Sequence, residues 1–282
     1  MLVYASEVLR QNLSREAYFT LKYVRWLSRD HVPRLFASSV TRATPKVVGL
    51  WNSGAFGRLR ELEAVDVAAP TQLCRIMTWY GSDKDYNLSA GRKVHNYTPI
   101  YSALFTGIRN QALRVFELGL GTTNPQLASN MGPDGWPGAS LWGWRKFFPR
   151  ALVYGADIDR EILFEADRIK TFYCDQCDDS SIRSMWSEPE LQGHGMDIIV
   201  EDGLHTFASN ISFLEGSLGR LRAGGFYIIE DISTSVLNRW VEVLESVYAR
   251  RFPTYEFSLI ALPKQLRSYA DSNNLLIIHR GS

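Results

Sequence analysis

Cysteine is scarce in this 282-residue chain, which has only Cys74, Cys174 and Cys177. So small and odd a number argues against a disulfide scaffold. Cys174 and Cys177 form a C-x-x-C, but no further Cys or His stands at the spacing that zinc requires. Two thiols at a strand end are the simpler reading. Long apolar runs are missing as well. None approaches the ~20 residues that cross a bilayer, and the opening "MLVYASEVLRQ" meets charge too early for a secretory segment. A soluble, cytoplasmic protein is expected. There is no internal repeat, no low-complexity tract and no nucleic-acid-binding motif, so no nucleic-acid partner is expected.

What the chain does have is an apolar fraction of 45%, enough for one large domain, alone or with a smaller attachment. The net charge of +1 is unevenly spread. Residues 1–60 carry ten Lys/Arg against three acids, a balance of +7, and the remainder carries −6. A basic segment of this kind suits packing on the acidic domain of its own or a neighbouring subunit, and a homo-oligomer is expected. Peripheral membrane contact through the basic N-terminal region is the other reading.

Residues ~5–40 have helix-like spacing at Leu9, Leu13, Leu21 and Val24. Residues 41–60 are rich in Gly, Ser and Pro and read as a linker or lid. A helix is expected over ~70–80, a loop over 81–97 and a helix over 97–110. Strands and helices then alternate. Strands are expected at 113–119, 151–158, 169–174, 197–202 and 226–231, with helices at 140–148, 160–166, 178–187, after 205 and at 236–250. Two closing strands, 256–262 and 274–280, lack a helical crossover and suggest an antiparallel hairpin at an edge. The pattern is that of an α/β fold with a parallel sheet covered on both faces.

Chemistry gathers at the strand ends. "VFELGLGTTN" runs an apolar strand into a glycine loop, with Glu117, Gly119 and Gly121 in E-x-G-x-G. The glycines permit a tight turn and close approach of a ligand. Position 124 is Asn rather than the third glycine of a dinucleotide fingerprint, which weakens a nicotinamide reading. Asp157 ends the next strand, where it could accept ribose hydroxyls. Asp175 and Gln176 end the third and could reach an adenine edge. In "DIIVEDGLH" and "GGFYIIEDIS", Asp202, Glu230 and Asp231 end two further apolar runs, and His205 follows Asp202 by three residues. Three carboxylates in a small volume call for a cation, and hard oxygens suit Mg²⁺. His205, with an ordinary pKa of about 6.5, could take the proton of a hydroxyl acidified there. Helix capping by the acids is the plainer alternative.

Residues 80–233 resemble the metal-dependent class I S-adenosylmethionine methyltransferases that modify sugar hydroxyls, of the mycinamicin and macrolide-sugar type. The matching pieces are "GSDK" (81–84), "HNYTPIY" (95–101), "VFELGLG" (115–121), "GASLWGWRKFFPRALVYGADI" (138–158), "IKTFYCDQCD" (169–178), "DIIVEDGLH" (197–205) and "LRAGGFYIIEDI" (221–232). The resemblance implies a Rossmann-like fold, with a mostly parallel seven-stranded sheet, an antiparallel C-terminal hairpin and a helical N-terminal extension. It divides the chain into a basic extension (1–75) and an S-adenosylmethionine-binding domain (76–282). It implies that Asp202, Glu230 and Asp231 hold Mg²⁺ and that His205 is the general base. Glu117, Gly119, Asp157 and Gln176 would line the S-adenosylmethionine site, with Ser82 and Lys84 closing over it. Tyr97 and Tyr101 would shape the cofactor or substrate side. The implied activity is methylation of a hydroxyl on a sugar or glycoconjugate. A catechol-like or other small hydroxylated acceptor is the alternative within the same chemistry. From a different class, the chain would be a non-catalytic interaction protein. The segment Thr122–Pro137 is longer than the resemblance leads one to expect, with "NMGPDGWPG" expected to re-form one wall, and residues 1–75 have no counterpart in it.

Overall fold

Val, Ile, Phe and Tyr crowd the short apolar runs, and β-branched and aromatic side chains favour a pleated, buried surface. These runs form the strands of the computed structural model, which describes residues 43–54, 57–85, 95–133, 135–263 and 271–281. The strands are β1 (Lys46–Trp51), β2 (Arg114–Leu118), β3 (Leu152–Asp157), β4 (Glu165–Ala166), β5 (Ile169–Tyr173), β6 (Met196–Glu201), β7 (Leu221–Ile232), β8 (Tyr255–Ala261) and β9 (Asn274–Arg280). They make one sheet in the order β1-β8-β9-β7-β6-β2-β3-β5-β4. The five strands β7, β6, β2, β3 and β5 run parallel. β9 pairs antiparallel with β7 and with β8, forming the expected closing hairpin.

Alternation along each strand builds two cores. Val115, Val153, Ile198, Val200 and Ile228 face one layer, while Phe116, Tyr154, Ile199, Tyr227 and Ile229 face the other. Successive side chains point to opposite faces, so a strand covered on both sides must be apolar throughout. All six residues of β6 are buried. The first layer is covered by α1 (Gln72–Tyr80), α2 (Thr98–Phe105) and α3 (Ala139–Phe147). The second is covered by α4 (Asp179–Trp186), α5 (Phe207–Ser217) and α6 (Leu237–Val243), which continues through a π-helical turn at Leu244–Tyr248.

Three expectations need changing. Residues 46–51, read as linker or lid, form β1, an edge strand antiparallel to β8. The run Val47, Val48, Leu50 and Trp51 provides strand residues that the flanking Gly and Pro obscure. The helix expected at 160–166 is only a turn at Arg160–Ile162. The chain then enters β4, which pairs antiparallel with β5 through Asp167 and Arg168. Arg168, the second residue of that connection, holds φ 58°, in the left-handed region. The sheet therefore gains one strand at each edge beyond the expected seven. The helix expected over ~5–40 lies outside the described residues, as does the middle of the 81–97 loop. The division proposed at residue 75 falls within α1, and Leu59, Leu62, Val67 and Leu73 belong to the first core layer. Among the described residues, no helix is long and apolar enough to cross a membrane.

Candidate active site

A cavity of about 650 Å³ opens at the carboxyl ends of the parallel strands. This is where open α/β sheets bind ligands, and the size suits a small-molecule cofactor. Two glycines make its floor. Gly119 has φ 88°, and a Cβ there would lie 1.9 Å from the carbonyl oxygen of Asp202. Gly121 has φ 74°, and a Cβ there would strike Met131 Sδ at 2.1 Å. Glycine alone lets the β2 loop pass this close to the β6 loop. The segment after it folds back as an ordered wall. Met131 N donates to Thr122 O at 2.8 Å, and Leu127, Met131 and Trp136 face the cavity.

The residues expected to line a nucleoside all border this cavity, and several also brace it. Asp157 accepts from Leu120 N at 2.7 Å and Asp159 N at 2.9 Å, fixing the glycine loop. Burial pushes its carboxyl above the usual range despite those bonds. Asp175 accepts from Cys177 N at 2.9 Å. Gln176 accepts from Leu204 N at 2.8 Å and donates to Glu201 Oε1 at 2.6 Å, so it clamps the β6 loop. Glu117 accepts from the Ser140 hydroxyl and from Trp144 Nε1. Cys174 and Cys177 are free. Burial pushes the Cys174 thiol up to about 12, and Cys177 is also raised by burial. Neither has the depressed pKa of a redox or metal thiol.

The acidic strand ends meet, but not as a simple trio. The register between β7 and β9 shifts between Ile229 and Ile232. A bulge of this kind re-aims side chains. Asp231, at φ 54°, turns toward His205, at φ 61°. Non-glycine residues seldom hold this conformation, and it concentrates at functional sites. One ligand atom from each of Asp202, His205 and Asp231 lies within 4.8 Å of the others. Asp231 Oδ1 accepts from the Tyr97 hydroxyl at 3.0 Å and lies 3.3 Å from His95 Nε2. Its Oδ2 is 3.9 Å from His205 Nε2.

Glu230, expected beside Asp231 as a third cation oxygen, is not part of that group of three but lies next to Asp202 across Lys84. It accepts from the Tyr101 hydroxyl and from Lys84 Nζ. Lys84, expected to close over the cofactor, borders the cavity and directs its ammonium into the acids. It donates to Asp202 Oδ2 at 2.6 Å and lies 3.5 Å from Glu117 Oε1. Ser82 lines the cavity next to it. The sequence reading missed the lysine as a counter-ion, His95 at Asp231, and the two tyrosines as carboxylate donors. The four-residue spacing of Tyr97 and Tyr101 at the start of α2 was the available signal, because residues so spaced share a helix face.

Electrostatics follows from the crowding. Burial disfavours the His205 imidazolium, but Asp231, Asp202 and Glu201 outweigh it and hold the ring above its ordinary pKa. Burial works to raise Asp202, yet Lys84 and His205 hold it below the usual range. Burial raises both Asp231 and Glu230, Glu230 well above the carboxylate range. His205 Nδ1 is buried and has no hydrogen-bond partner.

No family model matches the chain. It is 32% identical over 176 residues to the 8-demethyl-8-alpha-L-rhamnosyl tetracenomycin-C 2'-O-methyltransferase of Streptomyces olivaceus, covering 62% of this chain and 42% of that protein. It is 33% identical over 144 residues to the mycinamicin VI 2''-O-methyltransferase of Micromonospora griseorubida, covering 50% of this chain and 33% of that one. The chain thus spans less than half the length of these relatives. Among solved structures it is similar to the MycE methyltransferase of the mycinamycin biosynthetic pathway, determined with Mg, SAH and mycinamycin VI. That match has a TM-score of 0.54 at 25% identity and covers 75% of this chain and 54% of that one. With the parallel sheet, its antiparallel hairpin and the glycine loop already described, the chain has the Rossmann-like fold of class I S-adenosylmethionine methyltransferases and is similar in sequence to sugar O-methyltransferases.

Proposed function

We propose that this protein is an S-adenosylmethionine-dependent O-methyltransferase, assisted by Mg²⁺, that methylates a hydroxyl of a sugar or glycoconjugate. The observation that carries the reading is the joining of a nucleoside-sized cavity to the Asp202–His205–Asp231 group on its border. The named activities of the similar proteins point the same way. The proposal includes a cytoplasmic setting, which suits cysteines that form no disulfide.

The residues present fit both groups. The glycine loop at Gly119 and Gly121, with Asp157, Asp175 and Gln176, would hold the nucleoside. Asp202 and Asp231 offer the hard oxygens that magnesium prefers, and substrate oxygens and water would complete its shell. When bound, S-adenosylmethionine supplies an electrophilic methyl, and magnesium supplies positive charge that acidifies a nearby hydroxyl. The rest falls to the chain. Asp231 is fixed by Tyr97 and His95, so its carboxylate is oriented before any ligand arrives. The imidazole of His205 borders the cavity and takes the hydroxyl proton. Asp231 and Asp202 now favour its protonated form, so neutralising them lowers its hold on a proton and readies it as a base. Met131 and Trp136 line the cavity, where they would help to hold the reactants in line, the source of much of the acceleration of a displacement.

S-adenosylhomocysteine, but not NAD, is expected to raise the melting temperature. His205→Ala and Asp202→Asn are expected to keep S-adenosylhomocysteine binding while methyl transfer to a glycoside acceptor falls about 100-fold or more. Full transfer by both variants would overturn the assignment of base and cation ligand. Transfer to catechols but not to glycosides would move the acceptor class.

A further inference from the structure

The side chain of Lys84 is only 2% exposed, yet it carries a charge. Lysine is rarely buried so deeply unless paired. Here one ammonium serves three carboxylates from three strand ends. They are Glu117 of β2 at 3.5 Å, Asp202 after β6 at 2.6 Å, and Glu230 of β7. The lysine is held in place at both ends. Its backbone N–H donates to Ser82 Oγ at 3.4 Å, and Glu230 is pinned from the other side by the Tyr101 hydroxyl. Burial disfavours the ammonium, but Asp202, Glu117 and Glu230 outweigh that and keep it charged.

Asp202 is claimed twice. It pairs with Lys84 and also belongs to the group with His205 and Asp231. Glu230, the residue before Asp231, gives one carboxylate oxygen to the lysine and the other to the Tyr101 hydroxyl. Two acids that a hard divalent ion would draw on therefore already share one positive charge fixed to the chain. Resting on the divalent-cation reading above, we propose that Lys84 is an internal counter-ion that competes with the divalent cation for Asp202 and Glu230. It keeps the acidic strand ends together when no cation is bound, and it lowers the affinity of the site for one. The physical basis is mutual repulsion: a fixed positive charge beside a divalent ion in a water-poor site opposes its entry. Four carboxylates, Glu117, Asp202, Glu230 and Asp231, surround this place against one ammonium, so acid remains to attract a cation.

The sign of one measurement separates this role from a merely structural one. Magnesium chloride is titrated calorimetrically into the full chain, wild type, Lys84→Gln and Lys84→Arg. Melting temperatures are taken with chelator and with excess magnesium. Lys84→Gln is expected to bind magnesium roughly tenfold tighter than wild type and to gain more in melting temperature on its addition. Lys84→Arg, which keeps the charge, is expected to stay close to wild type. If Lys84→Gln is unfolded in chelator, the expectation is that magnesium restores it and potassium at matched ionic strength does not. Should wild type bind magnesium while Lys84→Gln binds it no tighter, or stay unfolded with it, the counter-ion role falls and the cation reading survives. If no variant gives heat or a melting shift with magnesium, the cation reading falls and this role with it.

Discussion

Glu201 ends β6 immediately before Asp202, and its whole side chain is buried. Oε1 accepts from Gln176 Nε2, while Oε2 is buried without a partner. Burial raises its pKa to about 7, against a pull downward from His205 and Gln176. The folded chain therefore keeps a proton that the unfolded chain has released at its own pKa of 4.5. Stability must fall as pH rises between those two values, where the folded state binds more protons. The full loss is about 3 kcal/mol at 1.36 kcal/mol per pKa unit. Glu201→Gln removes the titration. Its urea-unfolding free energy relative to wild type is expected to climb from about pH 4.5 to about pH 8 and then level off. A difference that stays flat across that range would show that Glu201 titrates normally.

At the scale of elements, the sequence shows strands better than it shows where their ends point. The apolar runs of β2, β3, β5, β6 and β7 and the closing hairpin are legible because a strand buried on both faces has to be apolar throughout. β1 is obscured, since five of its six residues are only half-buried and Gly, Pro and Ser flank it. That Glu230 and Asp231 point apart is legible, because successive strand residues face opposite ways, but the turn of Asp231 toward His205 is not. That turn follows from a register shift against β9, a strand more than forty residues further along the chain. Lys84 escapes for a related reason: it meets Asp202 and Glu230 across 118 and 146 positions of sequence. A local feature, by contrast, depends only on neighbouring residues. Thr206 precedes a helix, and its hydroxyl accepts from Ser209 N at 3.1 Å in a capping box. It also directly follows His205, so it sets where that imidazole leaves the β6 loop. Thr206→Ala is expected to cost about 1 kcal/mol of stability by chemical denaturation. It should also lower methyl transfer without a comparable loss of S-adenosylhomocysteine affinity. A stability unchanged within error would mean the cap contributes nothing to the entry of α5.

Across the whole molecule, the two layers beside the sheet differ in their tie to the site. On the α1–α3 side, core residues reach directly into the acids. Trp144 donates to Glu117, Tyr101 to Glu230 and Tyr97 to Asp231, while their rings pack together in the first layer. On the α4–α6 side, Trp186 donates to Ser217 at 2.8 Å and stacks near Phe116 and Phe213, with no carboxylate of the site among those partners. Both indoles are fully buried. Removing either N–H leaves a buried acceptor without its donor and costs about 1–3 kcal/mol. The consequence at the cavity should differ. Trp144→Phe strips Glu117 of a donor in a place where burial already raises its pKa. S-adenosylhomocysteine affinity is then expected to fall roughly tenfold, equivalent to about 1.4 kcal/mol. Trp186→Phe is expected to lower the melting temperature comparably and leave the affinity unchanged. Equal affinity losses in the two variants would mean that both layers support the cavity alike, and that the hydrogen bonds from the first layer only brace the fold.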